Sequence, residues 1–270
     1  MKRGAIKILA VILCIISCLP FVVGCSCLLP DFPPPNYERR EVGDFIVRFY
    51  DDYCEIEGTT EQGNTQRFLV IPEYLDGVRV KSLGFASLFS DYTYARIDSD
   101  ILEKVYCEAA IKVYNTFTSI SNPNMKKLIY PVLNEYAYWS LGRNGVDVCY
   151  PRHEYEKGNY KGATIKCANI SYYYNYENES DDEYYWIDDC DYGGIIEFIP
   201  PDPEREGYIF GGWYKEPECI NEWDFETDTL PEEKTEMKEY SGGEVREEVV
   251  YQETILYAKW EIDPEWSEAQ

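Results

Sequence analysis

Gly207-Tyr208-Ile209-Phe210-Gly211-Gly212-Trp213-Tyr214 alternates side chains with a period of two, and that period decides the reading of the second half of the chain. A strand sends successive side chains to opposite faces. The spacing therefore puts Tyr208, Phe210 and Gly212 on one face and Ile209, Gly211 and Trp213 on the other. Upstream, Ile195-Ile196-Glu197-Phe198-Ile199 reads as a strand stopped by Pro200, Pro201 and Pro203. Downstream, Trp223-Asp224-Phe225 precedes a closing apolar strand over residues 254–260. An insert at 231–253 carries 8 acids against 3 bases, and its Ser241-Gly242-Gly243 suggests a hairpin tip or a flexible loop.

The first half is also strand-like. Phe45-Ile46-Val47 and residues 53–58 form a candidate hairpin, and Phe68-Leu69-Val70-Ile71 is a strand ended by Pro72. The runs 104–107, 127–130 and 147–150 then align with Val105, Leu128 and Val148 in register, at spacings of 23 and 20 residues. Such intervals suit a solenoid in which each turn adds one short strand and burial comes only when turns stack. The polar run from His153 to Asn159 is expected to be linker between two regions.

Two resemblances follow from these residues. The run Leu69-Val70-Ile71-Pro72 through Asp76-Gly77-Val78 to Leu83-Gly84 resembles the opening of BspA-like leucine-rich repeats, covering 44–152. The order of prolines, Gly207 to Tyr214, Trp223-Asp224-Phe225 and Leu256-Tyr257-Ala258-Lys259-Trp260 is similar to the internalin-type B repeat, or Listeria/Bacteroides repeat, over 163–262. The fold class expected is mainly β: a short leucine-rich-repeat-like solenoid followed by a small β-grasp-like module. The first strand of that module is expected over residues 163–174. The B-repeat resemblance further implies a setting in surface proteins and adhesins.

The amino terminus addresses the compartment. Lys2, Arg3 and Lys7 precede an apolar stretch, residues 8–23, that is short for a membrane span of ~20 residues. Val22-Val23-Gly24-Cys25 resembles a bacterial lipobox. Residues 1–24 are thus expected to be a lipoprotein signal peptide, Cys25 the lipid attachment site, and residues 25–43, with Pro30, Pro33, Pro34 and Pro35, a semi-rigid tether. The expected location is the extracellular face of the cell membrane, lipid-anchored.

With 25 Lys+Arg against 50 Asp+Glu the net charge is −25, which argues against nucleic acid as a partner, because phosphate binding needs clustered cations. The excess is uneven: residues 44–152 hold 11 bases and 15 acids, residues 153–270 hold 9 and 32. With one histidine, His153, no G-x-S-x-G and no C-x-x-C, neither an enzyme, a cofactor nor a metal centre is expected. Asp188-Asp189-Cys190-Asp191 offers carboxylates to a hard cation but misses the EF-hand pattern, since Pro200 stands where its glutamate belongs; a solvated acidic turn is expected. In an exported chain Cys190 and Cys219 are the first pair to consider for a disulfide, with burial as free thiols the alternative. Tyr172, Tyr174, Tyr176, Tyr184 and Trp186 form the candidate binding surface: about half such strand residues pack inward, and the rest present amphipathic rings to a partner. The expectation is recognition of an extracellular protein or glycan, with an architectural spacer of the envelope as the alternative.

Overall fold

The computed structural model describes residues 36–87, 90–93, 95–113, 122–131, 145–157, 165–176 and 184–266. The expected signal peptide, Cys25 and residues 25–35 of the expected tether lie outside them. The described residues are mainly β, with one α-helix, and from Arg39 on they belong to one compact unit.

The first sheet runs β1 (Glu38–Val42), β2 (Phe45–Phe49), β3 (Cys54–Thr59), β6 (Val78–Leu83) and β10 (Lys112–Val113), with β5 (Tyr74–Leu75) also on β6. β2 and β3 are the expected antiparallel hairpin. β5 returns into β6 through Asp76 and Gly77, both at positive φ (49° and 76°), the two-residue Asp-Gly turn whose twist suits a hairpin. A short pair, β7 (Phe85–Ser87) with β8 (Ser90–Thr93), follows.

The second sheet is wholly parallel: β4 (Phe68–Ile71), β9 (Lys104–Cys107), β11 (Lys127–Ile129), β12 (Asp147–Tyr150) and β13 (Ile165–Cys167). Leu69, Val105, Leu128, Val148 and Ile165 stand side by side across it. The first four are at most 1% exposed and pack with Val47, Ile56, Leu83 and Ile97 in one core. The alternate residues Tyr106, Ile129 and Cys149 face the other way and are equally buried, in a second core. A parallel sheet needs both faces covered, and here the carboxy-terminal region supplies the second cover.

That region is a four-stranded sheet in the order β15 (Tyr184–Asp188), β14 (Ile170–Tyr173), β19 (Thr254–Ile262) and β16 (Tyr208–Tyr214). β14 and β19 are parallel, with Tyr172 opposite Leu256, and β16 is antiparallel to β19. Ile170, Tyr172, Trp186, Trp213, Leu256 and Ala258 share the second core with Tyr106, Ile129 and Cys149. The insert forms a hairpin of β17 (Thr235–Glu239) and β18 (Val245–Val249), turning at Ser241-Gly242-Gly243.

Four expectations change. The single strand expected at 163–174 is two: β13 closes the parallel sheet, and after Ala168-Asn169 the chain starts β14 in the other sheet. Residues 195–199 are unpaired rather than strand, although Ile196 is buried. Within the run read as linker lies α1 (Arg152–Lys157), and the two regions share a core instead of standing apart. Finally, Phe210 and Trp213 do not fall on opposite faces. The register shifts between them, and Gly212, at φ 102°, occupies the bulge, so the two rings meet edge to face at 5.1 Å. An extra residue in one strand reverses the phase of everything after it.

Candidate functional site

The elements that carry the candidate site are held by buried charge. At the end of β15, Asp188 and Asp189 are buried rather than forming a solvated turn. Lys104 of β9 places Nζ 2.9 Å from Asp188 Oδ1, and Lys127 of β11 places Nζ 2.7 Å from Asp189 Oδ2. Burial alone depresses an ammonium pKa, but the adjacent carboxylate outweighs it, and both lysines are held above their ordinary value. Asn169 completes the clasp: its Nδ2 donates to the Cys190 carbonyl at 2.8 Å, and its Oδ1 accepts from the Cys190 N–H at 3.0 Å. These contacts lock the end of the four-stranded sheet to the parallel sheet. Among the described residues no cluster of three or more His, Cys, Asp or Glu is arranged to hold a metal ion.

Cys190 and Cys219 are both free thiols with separate neighbours. Cys190 Sγ lies 3.2 Å from Lys104 Nζ, and burial first, then the Asp188 charge, pushes its thiol up to about 12. Cys219 sits near Asn175 and Ala258. His153 is on α1 with Nε2 3.6 Å from the Glu154 carboxylate.

The five aromatic candidates divide. Tyr172 (0% exposed) and Trp186 (7%) belong to the core and not to a surface, because their faces of β14 and β15 are the ones covered by the parallel sheet. Tyr172 meets Trp213 edge to face at 4.8 Å, and Trp186 lies 5.6 Å from Tyr106. Tyr184 is half-buried and donates its hydroxyl to the Pro131 carbonyl at 2.9 Å, a tether between the sheets. Tyr174, Tyr184, Tyr185 and Trp186 together line a depression of ≈ 190 Å³.

Tyr174 and Tyr176 remain half-exposed and sit at the start of a continuous run of rings. Tyr174 is 5.3 Å from Tyr185 and 5.6 Å from Tyr176, Tyr176 is 5.6 Å from Trp260, and Trp260 is 5.9 Å from Phe210. The backbone fixes this run. Asn175, at φ 56°, donates Nδ2 to the carbonyls of Pro217 and Ala258, and Trp260 Nε1 donates to the Tyr174 carbonyl at 2.6 Å.

One cation joins the rings. The Arg205 guanidinium lies 3.7 Å from the Tyr208 centroid, 4.2 Å from that of Tyr176 and 5.8 Å from that of Trp260. A turn holds it there: the Tyr208 N–H bonds the Arg205 carbonyl at 3.1 Å, and Gly207 takes φ 77° where a Cβ would come 3.2 Å from the Trp266 ring. Arg205, Tyr208 and Trp260 were not among the sequence candidates. The available signal was the turn Arg205-Glu206-Gly207 directly after the prolines, together with the outward phase of Tyr208.

Comparison with known proteins finds a likeness over part of this site. Residues 170–237 match the Listeria-Bacteroides repeat domain. Two proteins of Evansella cellulosilytica, classed by name as a membrane protein and a Gly-rich membrane protein, are each 35% identical over 75 residues, 28% of this chain. The chain spans only 8% and 6% of their lengths. No solved structure matches. Strands β14, β15 and β16, with Tyr174, Tyr176, Arg205, Tyr208 and Phe210, thus lie in a segment similar to the Listeria-Bacteroides repeat domain, while β19 and Trp260 lie beyond the matched residues.

Proposed function

We propose that the chain is a cell-surface lipoprotein, held to the extracellular face of the bacterial membrane through lipid on Cys25, that binds an extracellular protein or glycan without catalysis. The binding surface is the run Tyr174, Tyr176, Trp260 and Phe210 with Arg205 and Tyr208. The observation that carries this reading is the continuity of half-exposed rings at 5.3 to 5.9 Å, fixed by backbone hydrogen bonds before any ligand arrives. Rigid amphipathic rings give contact area at small entropic cost. Two relatives classed as membrane proteins support the location. The spacings of 23 and 20 residues in the parallel sheet support a BspA-like leucine-rich repeat, and the carboxy-terminal sheet is proposed as β-grasp-like.

The alternative, an architectural spacer, draws on the shared second core, which makes the two sheets one stiff body. A glycan and protein array probed with the full chain at several salt concentrations separates the two. Reproducible binding that weakens in Tyr176→Ala supports recognition, and absence of binding favours the spacer. Mass spectrometry of the mature amino terminus tests the anchor: a diacylglyceryl-cysteine at residue 25 is expected, and an intact Met1 terminus refutes it.

A further inference from the structure

We infer that the ligand of the aromatic face is a carboxylated sugar, a hexuronate-containing glycan, with Arg205 as the group that reads its carboxylate. This rests on the recognition reading above and names its ligand class. Arg205 is placed differently from the cations around it. Lys215, Lys238, Arg246 and Lys259 of the same region are each paired with a carboxylate, at 2.7 to 3.1 Å. Among the described residues Arg205 makes ring contacts and no such pair, in a region with 32 acids and 9 bases. Glu204 and Glu206 flank it in sequence, are exposed, and do not pair with it.

The stacking decides what the arginine can do. A guanidinium lying on aromatic rings keeps its planar fork of N–H donors at the edge, the geometry that grips a carboxylate with two parallel hydrogen bonds. The rings fix the fork in advance, so little side-chain entropy is lost when it binds. Beside it the rings of Tyr174, Tyr176 and Trp260 offer apolar faces and edges to the C–H surface of a pyranose. A neutral sugar would leave the guanidinium without a counter-charge. A hexuronate supplies both a flat C–H face and a carboxylate on one pyranose ring.

Calorimetry with the full chain tests this, using oligogalacturonate and its fully methyl-esterified form, which keeps the ring and removes the charge. The free acid is expected to bind at least ~10-fold more tightly than the ester, the effect of about one strong charged hydrogen bond. Arg205→Ala is expected to abolish that preference, and Arg205→Lys to restore only part of it, because an ammonium has no fork. Equal binding of acid and ester, binding of neither, or an acid preference that survives Arg205→Ala overturns the inference. So does tighter binding of oligo-aspartate than of oligogalacturonate, which would assign the site to acidic peptides. The two levels stay separable: if acid and ester bind equally and Tyr176→Ala weakens both, the aromatic face stands and only the carboxylate reading falls. If array-derived ligands are indifferent to Tyr176→Ala, the aromatic face itself is wrong.

Discussion

Replacing Asp188 by alanine strands a lysine in the interior. Lys104 is 14% exposed and Asp188 1%, with 2.9 Å between Nζ and Oδ1, so the ammonium has few waters to turn to when its partner goes. Removing one member of a buried pair costs about 3–5 kcal/mol, because the remaining charge stays desolvated. Asp188 also accepts the Asp189 backbone N–H at 2.7 Å, so the upper half of that range is expected. For a unit of this size each kcal/mol lowers the melting temperature by about 2–4 °C, so Asp188→Ala is expected to melt roughly 8–20 °C earlier. The double variant Lys104→Met with Asp188→Leu fills the same space without charge and is expected within about 1–2 kcal/mol of the parent, or more stable. Urea unfolding of the parent, Lys104→Met, Asp188→Leu and the double closes a thermodynamic cycle. An Asp188→Ala cost below about 1 kcal/mol, or a double variant as unstable as the sum of its singles, would refute the claim that this pair clamps the two sheets.

The same pair sets an alkaline limit. Lys104 has its pKa raised on folding, so its contribution is complete below the unfolded value of about 10.4 and is lost as pH rises through the higher folded value; unfolding free energy flat to pH 11.5 would contradict this. The Tyr172 hydroxyl is buried with no hydrogen-bond partner among the described residues, so Tyr172→Phe is expected to be neutral or to stabilise by up to about 1–3 kcal/mol, checked by the same unfolding assay. With its thiol pushed up to about 12, Cys190 is expected to resist iodoacetamide at pH 8 in the native protein and to react once unfolded. Recovery of Cys190 and Cys219 as a non-reducible-without-thiol pair in peptide maps would contradict the free-thiol arrangement.

Much of the strand pattern was legible because strand stacking writes a local signal. Val105, Leu128 and Val148, spaced at 23 and 20 residues in the sequence, are neighbours in the parallel sheet. Ser241-Gly242-Gly243 does turn a hairpin. What stayed hidden depends on contacts between segments far apart. Lys104 and Asp188 are 84 residues apart, and no count of charges reveals which acids are paired. The inward side of Tyr172 and Trp186 follows from a second sheet laid over the first, which a period of two cannot announce. The phase of Trp213 turned on a bulge at Gly211-Gly212, where the repeated glycine was the only trace. The stacking of Arg205 needs the Gly207 turn to bring it over Tyr176, from 29 positions earlier in the chain.

Recognition through preformed rings is tested most directly by titrating the strongest array ligand against the parent, Tyr176→Ala and Tyr208→Ala, with melting temperatures recorded in parallel. Each variant is expected to lose about 1–2 kcal/mol, a ~5- to 30-fold weakening, while melting within a few degrees of the parent. Unchanged affinity in both variants would contradict the account.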